Sequence, residues 1–127
     1  MDYLSLAVHA LPTEEGGRST PFAGRRGDSG ASYRPHLRVP PGGGYLGVAF
    51  VDGPEWIAPG EDAVATVALI YLEHGVDYGA LVTGVRTEIV EGPRVIATAR
   101  VLDRWTEATD WHTGHAPVAE GEKSLPP

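Results

Sequence analysis

The first strand that the sequence predicts runs from Asp2 to Leu11, where apolar and polar side chains alternate. A period of two places successive side chains on opposite faces of a strand. The apolar positions all fall on one face: Leu4, Leu6, Val8 and Ala10. Ser5 and His9 fall on the other face, so we expect a strand with one buried and one exposed face.

Further segments along the chain have strand character. Residues 63–72 are apolar on both faces, which suits a strand covered on both sides. A short buried helix is the other interpretation, but β-branched residues and flanking turns favour the strand. Residues 83–91 and 94–103 flank Gly92-Pro93, a short hairpin connection. Tyr45–Val51 has the pattern of a shorter strand.

Glycine and proline interrupt the chain often, at 17 and 11 of its 127 positions. They disfavour long helices, because glycine costs a helix about 1 kcal/mol and proline about 3 kcal/mol relative to alanine. About six strand candidates at short spacing, without a convincing helix, predict an all-β barrel or sandwich. Trp56 and Trp105 are expected to belong to its core.

The charge of the chain is unevenly distributed. Its 10 basic and 17 acidic residues give a net charge of −7, which argues against a generic polyanion binder. The segment from Gly16 to Arg38 is nevertheless basic, with one acidic residue, Asp28, against five arginines: Arg18, Arg25, Arg26, Arg34 and Arg38. These arginines are a candidate anion patch, although solvated loop charges are the alternative interpretation.

Several classes of chemistry lack the residues they need. The chain has no cysteine, which excludes disulfides and thiolate sites. No serine, histidine or aspartate stands in a nucleophile context, so we predict a protein that is not an enzyme. His112 and His115 lie near Asp110, but without a second ligand pair they are better interpreted as surface histidines than as a metal site. We expect no cofactor.

The expected location is the cytoplasm. The first residues lack the basic start of a signal peptide, and the longest apolar run is too short to cross a membrane as a helix. We expect no membrane association.

Four motifs, in order, resemble the C-terminal β-barrel, or third domain, of elongation factor Tu. They are Gly16–Phe22 (GGRSTPF), Tyr33–His36 (YRPH), Ile57–Asp62 (IAPGED) and Gly84–Gly92 (GVRTEIVEG). The resemblance covers roughly residues 2–104 and implies a small antiparallel β-barrel of about six strands, with the loop from Gly16 to Ser32 projecting from it. Residues 1–105 would form this barrel, and residues 106–127 a flexible acidic tail.

The chain departs from the family in informative ways. It contains no glycine-rich phosphate loop, so the resemblance implies one isolated domain that does not bind GTP. The loops between Phe22 and Tyr33 and between Tyr71 and Thr83 are longer than expected for the family.

In the family this barrel contacts the T-stem of aminoacyl-tRNA, packs against the GTPase domain and helps to bind the exchange factor. The resemblance therefore implies a module that binds a protein partner linked to translation, or a toxin, and tRNA as the alternative partner. The candidate RNA- or partner-binding residues are Arg18, Arg34, His36, Glu91 and Gly92, with Arg25, Arg26 and Arg38 as an anion patch. His36 stands where the family has glutamine.

Overall fold

A computed structural model describes residues 1–108. Six strands close into an antiparallel barrel, and two short strands form a separate ribbon. The bounds are β1 Asp2–Ala10, β2 Phe22–Ala23, β3 His36–Arg38, β4 Leu46–Asp52, β5 Trp56–Ile57, β6 Asp62–Leu69, β7 Arg86–Glu91 and β8 Arg94–Thr106. The order around the barrel is β1-β6-β4-β3-β7-β8, and β8 returns to β1; β2 pairs with β5. The all-β prediction with a barrel of about six strands is confirmed.

The barrel core is built by the inward face of each strand. In β1 the four alternating apolar residues are all buried as predicted, and β7 contributes Ile89. The β7–β8 hairpin forms at Gly92-Pro93, and an irregularity in register between Ile89 and Val90 leaves Ile96 buried beside Ala97. This shift of register, a β-bulge, places Ile96 in the core.

Two loop elements close the ends of the barrel. At one end the connection between β6 and β7, with a short 3-10 helix at Leu72–His74, inserts the buried side chains of Tyr78 and Leu81. At the other end the β2–β5 ribbon contributes Phe22 and Ile57. The loop between Tyr71 and Thr83 therefore folds onto the barrel, whereas residues 27–31 of the loop between Phe22 and Tyr33 are exposed.

A second, smaller apolar cluster lies outside the barrel wall. Tyr3, Ala49, Val51 and Ala68 are buried there, and Trp105 packs against them with its ring 6.0 Å from that of Tyr3. Trp105 therefore belongs to this outer cluster.

Trp56 does not belong to any core. Its side chain is 59% exposed on β5, because its neighbour Ile57 is the residue of that two-residue strand that turns inward. The prediction that Trp56 closes the barrel is wrong.

Among residues 1–108, no helix has the length and apolar character needed to span a bilayer. Strand β8 extends through Thr106, which pairs with Asp2, and the amide of Glu107 donates to the carbonyl of Met1 at 3.0 Å. The predicted tail of residues 106–127 therefore begins with residues held in the barrel. Its remainder, with His112 and His115, lies outside the described residues.

Candidate functional site

Arg18, Tyr33 and Glu91 meet at one end of the barrel, and we call these three residues the Arg18 cluster. Nη1 of Arg18 donates to Oε2 of Glu91 at 2.5 Å, and the hydroxyl of Tyr33 donates to the same carboxylate oxygen. The Arg18 guanidinium also lies 5.5 Å from the centre of the Tyr33 ring. Arg18 and Glu91 are separated by 73 residues in sequence, so the fold creates this cluster.

A tight turn before Arg18 fixes its backbone. A Cβ atom at Gly17 would lie 2.0 Å from the carbonyl oxygen of Leu11, so only glycine fits there. Arg94, the first residue of β8, donates from Nε to the carbonyl of Gly16 at 3.1 Å and from Nη2 to that of Gly17 at 2.5 Å. The turn is thereby fastened to the β7–β8 hairpin, which brings Arg18 beside Glu91.

The Arg18 cluster is an internally neutralised group. The side chains of Arg18 and Glu91 are only 26% and 32% exposed, and Arg18 also donates from Nε to the carbonyl of Thr20 at 3.2 Å. A phosphate approaching Arg18 would have to compete with a carboxylate already bound to it. The geometry therefore suits the fixing of a surface loop, with the ion pair at its centre, better than phosphate capture.

Burial and the neighbouring Glu91 carboxylate both raise the pKa of the Tyr33 phenol above its ordinary value of 10.0, with Arg18 opposing them in part. A raised pKa in the folded state contributes stability that is complete below pH 10 and is lost as the pH rises through the folded pKa. We expect Tyr33→Phe to remove one late tyrosinate transition from an ultraviolet pH titration and to flatten the alkaline loss of stability.

Glu91→Gln provides the control for this titration, because it keeps the shape of the side chain and removes its charge. It should move the same transition toward pH 10 and leave unchanged the second late one, from Tyr78, whose pKa is raised by burial. Identical titrations for Glu91→Gln and the unmodified chain would contradict the assignment.

The other predicted site residues lie around this cluster but do not join it. Gly92 occupies the tip of the β7–β8 hairpin with a φ of 58°, and Arg34 is exposed next to Tyr33. His36 begins β3 and pairs with Gly47 and Val90, and its ring centre lies 5.7 Å from that of Tyr45, with the two rings tilted by 37°.

Two arginines of the predicted anion patch, Arg25 and Arg38, each lie beside a glutamate. Arg38 donates from Nε and Nη2 to Oε1 of Glu88 at 3.1 and 2.9 Å. Arg25 lies 4.0 Å from Glu55, and the backbone amide of Arg26 donates to the carbonyl of Val51 at 3.3 Å. The basic segment from Gly16 to Arg38 therefore meets three carboxylates from later in the chain, Glu55 in the loop before β5 and Glu88 and Glu91 on β7, which the local charge count does not reveal.

The residues around Gly47 form a partly exposed surface of which the sequence had indicated only His36 and Arg38. We call His36, Arg38, Tyr45 and Tyr71 the Tyr45 surface. Tyr45 and Tyr71 are 45% and 43% exposed, and the Tyr71 ring packs so closely over Gly47 that a Cβ there would lie 2.4 Å from Cε2. The Arg38 guanidinium lies 5.7 Å from the centre of the Tyr45 ring. Glycine at position 47 is thus what allows an aromatic side chain to cover the sheet.

His9 also has a partner that its sequence neighbours do not reveal. Its Nδ1 lies 2.6 Å from Oδ1 of Asp62 on the adjacent strand β6. His9 and Asp62 are 53 residues apart in the sequence, so their contact can be inferred only once the register of β1 and β6 is known.

Within residues 1–108, no three histidine, aspartate or glutamate side chains are grouped to hold a metal ion. A scan of the chain against protein-family models finds no match.

Proposed function

We propose that the chain is a non-enzymatic binding module that resembles the third domain of elongation factor Tu and binds a protein partner linked to translation. One observation carries the proposal: three of the motifs on which the resemblance rests supply the three members of the Arg18 cluster. Arg18 comes from the first motif, Tyr33 from the second and Glu91 from the last. Motifs that occur by chance would have no reason to meet in one hydrogen-bonded group.

The exposed side chains favour a protein partner over RNA. Tyrosine and arginine are enriched where protein interfaces carry most of their binding energy, and the Tyr45 surface presents both. Nucleic acid would need several free cations along its path, whereas Arg18 and Arg38 are each bound to a glutamate. The chain as a whole is also acidic, with a net charge of −7.

Binding of purified probes tests the proposal. The immobilised chain is exposed separately to the GTPase domain of elongation factor Tu, to the exchange factor of elongation factor Tu and to an aminoacyl-tRNA. We expect one of the two proteins to bind with a Kd of about 10 µM or tighter, as for a transient interface. Tyr45→Ala should weaken that binding about tenfold, the effect of one buried aromatic anchor.

Leu102→Ala is the matched control, because Leu102 is exposed to a similar degree, 43%, but lies on β8 away from the Tyr45 surface. It should leave the Kd unchanged. Salt-dependent binding of the tRNA with neither protein bound would replace the proposal by the RNA alternative. Absence of binding by all three probes would also overturn it.

A further inference from the structure

A shallow concavity crosses the outer face of four neighbouring strands, β6, β1, β8 and β7. Its volume is about 550 Å³. One row of paired residues runs straight across it in the order Val64, Ala7, Arg100, Arg86. With strands about 4.8 Å apart, this row is roughly 14 Å long. We call the concavity the Arg86 groove.

Two arginines at one end of this groove face each other. Arg86 and Arg100 are direct partners in the β7–β8 register, and both are exposed. Like charges directly opposite each other destabilise a sheet. Arg100 donates from Nη1 to the carbonyl of Gly84 at 3.0 Å, and neither arginine forms an ion pair with any carboxylate among residues 1–108.

Two carboxylates on this face of the sheet are engaged by other side chains. Glu88, which follows Arg86 on the same face of β7, is bound by Arg38, and Asp62 at the far end of the groove is bound by His9. The positive charge of the arginine pair is therefore left uncompensated by its own strands, although the chain has more acidic than basic residues.

The middle of the groove is apolar. Val64 is 59% exposed, beside the small side chain of its strand partner Ala7. The strand that contains Val64 was expected to be covered on both faces, but its outer face is exposed at this residue. At the end opposite the arginines, the groove is lined by His9 and Asp62.

We infer that the Arg86 groove binds a short extended segment of a protein partner, with a carboxylate at one end and an apolar residue behind it. The arginine pair would hold the carboxylate through planar guanidinium forks, and Val64 and Ala7 would cover the apolar residue. Four or five extended residues span about 14 Å. This inference rests on the proposed function only in taking the occupant to be protein.

Charge and shape favour such a segment over a nucleic-acid backbone. The far end of the groove carries Asp62, 82% exposed, which would repel a second phosphate. Its centre offers apolar contact that a sugar-phosphate chain does not use. The three parts of the groove are matched by one anionic group at the arginines, an apolar residue at the centre and no second anionic group near Asp62.

The test uses the full chain labelled with ¹⁵N and the blocked peptide acetyl-Glu-Val-Leu-Val-Thr-amide, followed by amide chemical shifts. We expect shifts at Ala7, Thr98 and Arg100 with a Kd of about 1 mM or tighter. The double variant Arg86→Gln/Arg100→Gln should weaken binding at least tenfold with little change in melting temperature, since relief of the like-charge pair offsets loss of the hydrogen bond from Arg100 to Gly84. Arg25→Gln, which changes an exposed arginine outside the groove, should have no effect.

Three outcomes would overturn the inference. They are absence of shifts in the groove, equal binding of the peptide with glutamine in place of glutamate, and a duplex RNA that shifts the same amides while the peptide does not. The outcome is separable from that of the proposed function. Unchanged binding of a partner protein to the double variant through the Tyr45 surface would show that the proposed function does not depend on the groove.

Discussion

Gly17→Ala is expected to destabilise the barrel by about 3 kcal/mol, a large share of the 5–15 kcal/mol that typically separates folded from unfolded chains. The new Cβ would lie 2.0 Å from the carbonyl oxygen of Leu11 and 2.9 Å from that of Pro12. These are backbone atoms that cannot rotate away. The amide of Gly17 donates to the Pro12 carbonyl at 3.0 Å, and the amide of Leu11 to that of Ile96 at 3.0 Å. Relieving the clash would break one of these bonds.

Gly16→Ala is the matched control for this substitution. A Cβ at Gly16 meets no atom within 4 Å, but the φ of 96° is unfavourable for alanine, so the cost should be about 1 kcal/mol. Urea unfolding of the three chains measures both values. A Gly16→Ala variant less stable than Gly17→Ala would contradict the assignment of the effect to the close approach of two backbones.

Arg104→Ala is expected to cost about 2–3 kcal/mol, because Arg104 joins β8 to β1 and to the loop that closes one end of the barrel. It donates from Nη2 to Oδ2 of Asp2 at 3.0 Å and from Nη1 to the carbonyl of Tyr78 at 2.8 Å. Both side chains of the ion pair are largely buried, at 26% and 17% exposure. Removing the arginine would therefore leave a mostly desolvated carboxylate with fewer donors.

The effect of Arg104→Ala should depend on pH. Burial alone would raise the pKa of Asp2, but hydrogen bonds from Thr106 and Arg104 outweigh it and lower that pKa below the ordinary 3.8. A lowered pKa contributes stability that is present above 3.8 and is lost as the pH falls through the folded pKa. The difference in unfolding free energy between the two chains should thus be complete at neutral pH and shrink in acid.

Asp2→Asn tests the same pair from its other member. Its loss of stability should overlap with that of Arg104→Ala, so that the double variant is more stable than the sum of the two single effects predicts. Strictly additive losses, or a difference that stays constant from neutral pH into acid, would show that Arg104 acts only through the Tyr78 carbonyl.

The fold could be predicted where strands are long enough to show a period. The alternation in β1 and the hairpin at Gly92-Pro93 are visible in the sequence, and both are confirmed. Strand β3 has three residues and β2 and β5 have two each, too few for a period to emerge. Trp56 was misplaced for the same reason, since a two-residue strand gives no indication of which side chain turns inward.

The candidate site was less accessible to sequence reasoning. The motif resemblance named Arg18 and Glu91, but their mutual ion pair depends on the Gly17 turn being fastened to β8 by Arg94. The Arg86 groove gave no local signal at all, because each of its four strands contributes only one or two ordinary outward residues. Only the register, which sets Arg86 beside Arg100, turns these residues into a continuous surface.

The pairing of β1 with both β6 and β8 has a consequence for synthesis on the ribosome. Among the barrel strands β1 is synthesised first, yet Leu4 pairs with Arg104. Arg104 lies on β8, which leaves the ribosome after all the other barrel strands. Until then β1 has an unpaired edge, the kind of edge that joins other chains and promotes aggregation. Most barrel contacts connect distant parts of the chain, and such topologies fold slowly. We therefore expect the nascent chain to be most vulnerable to aggregation just before β8 emerges.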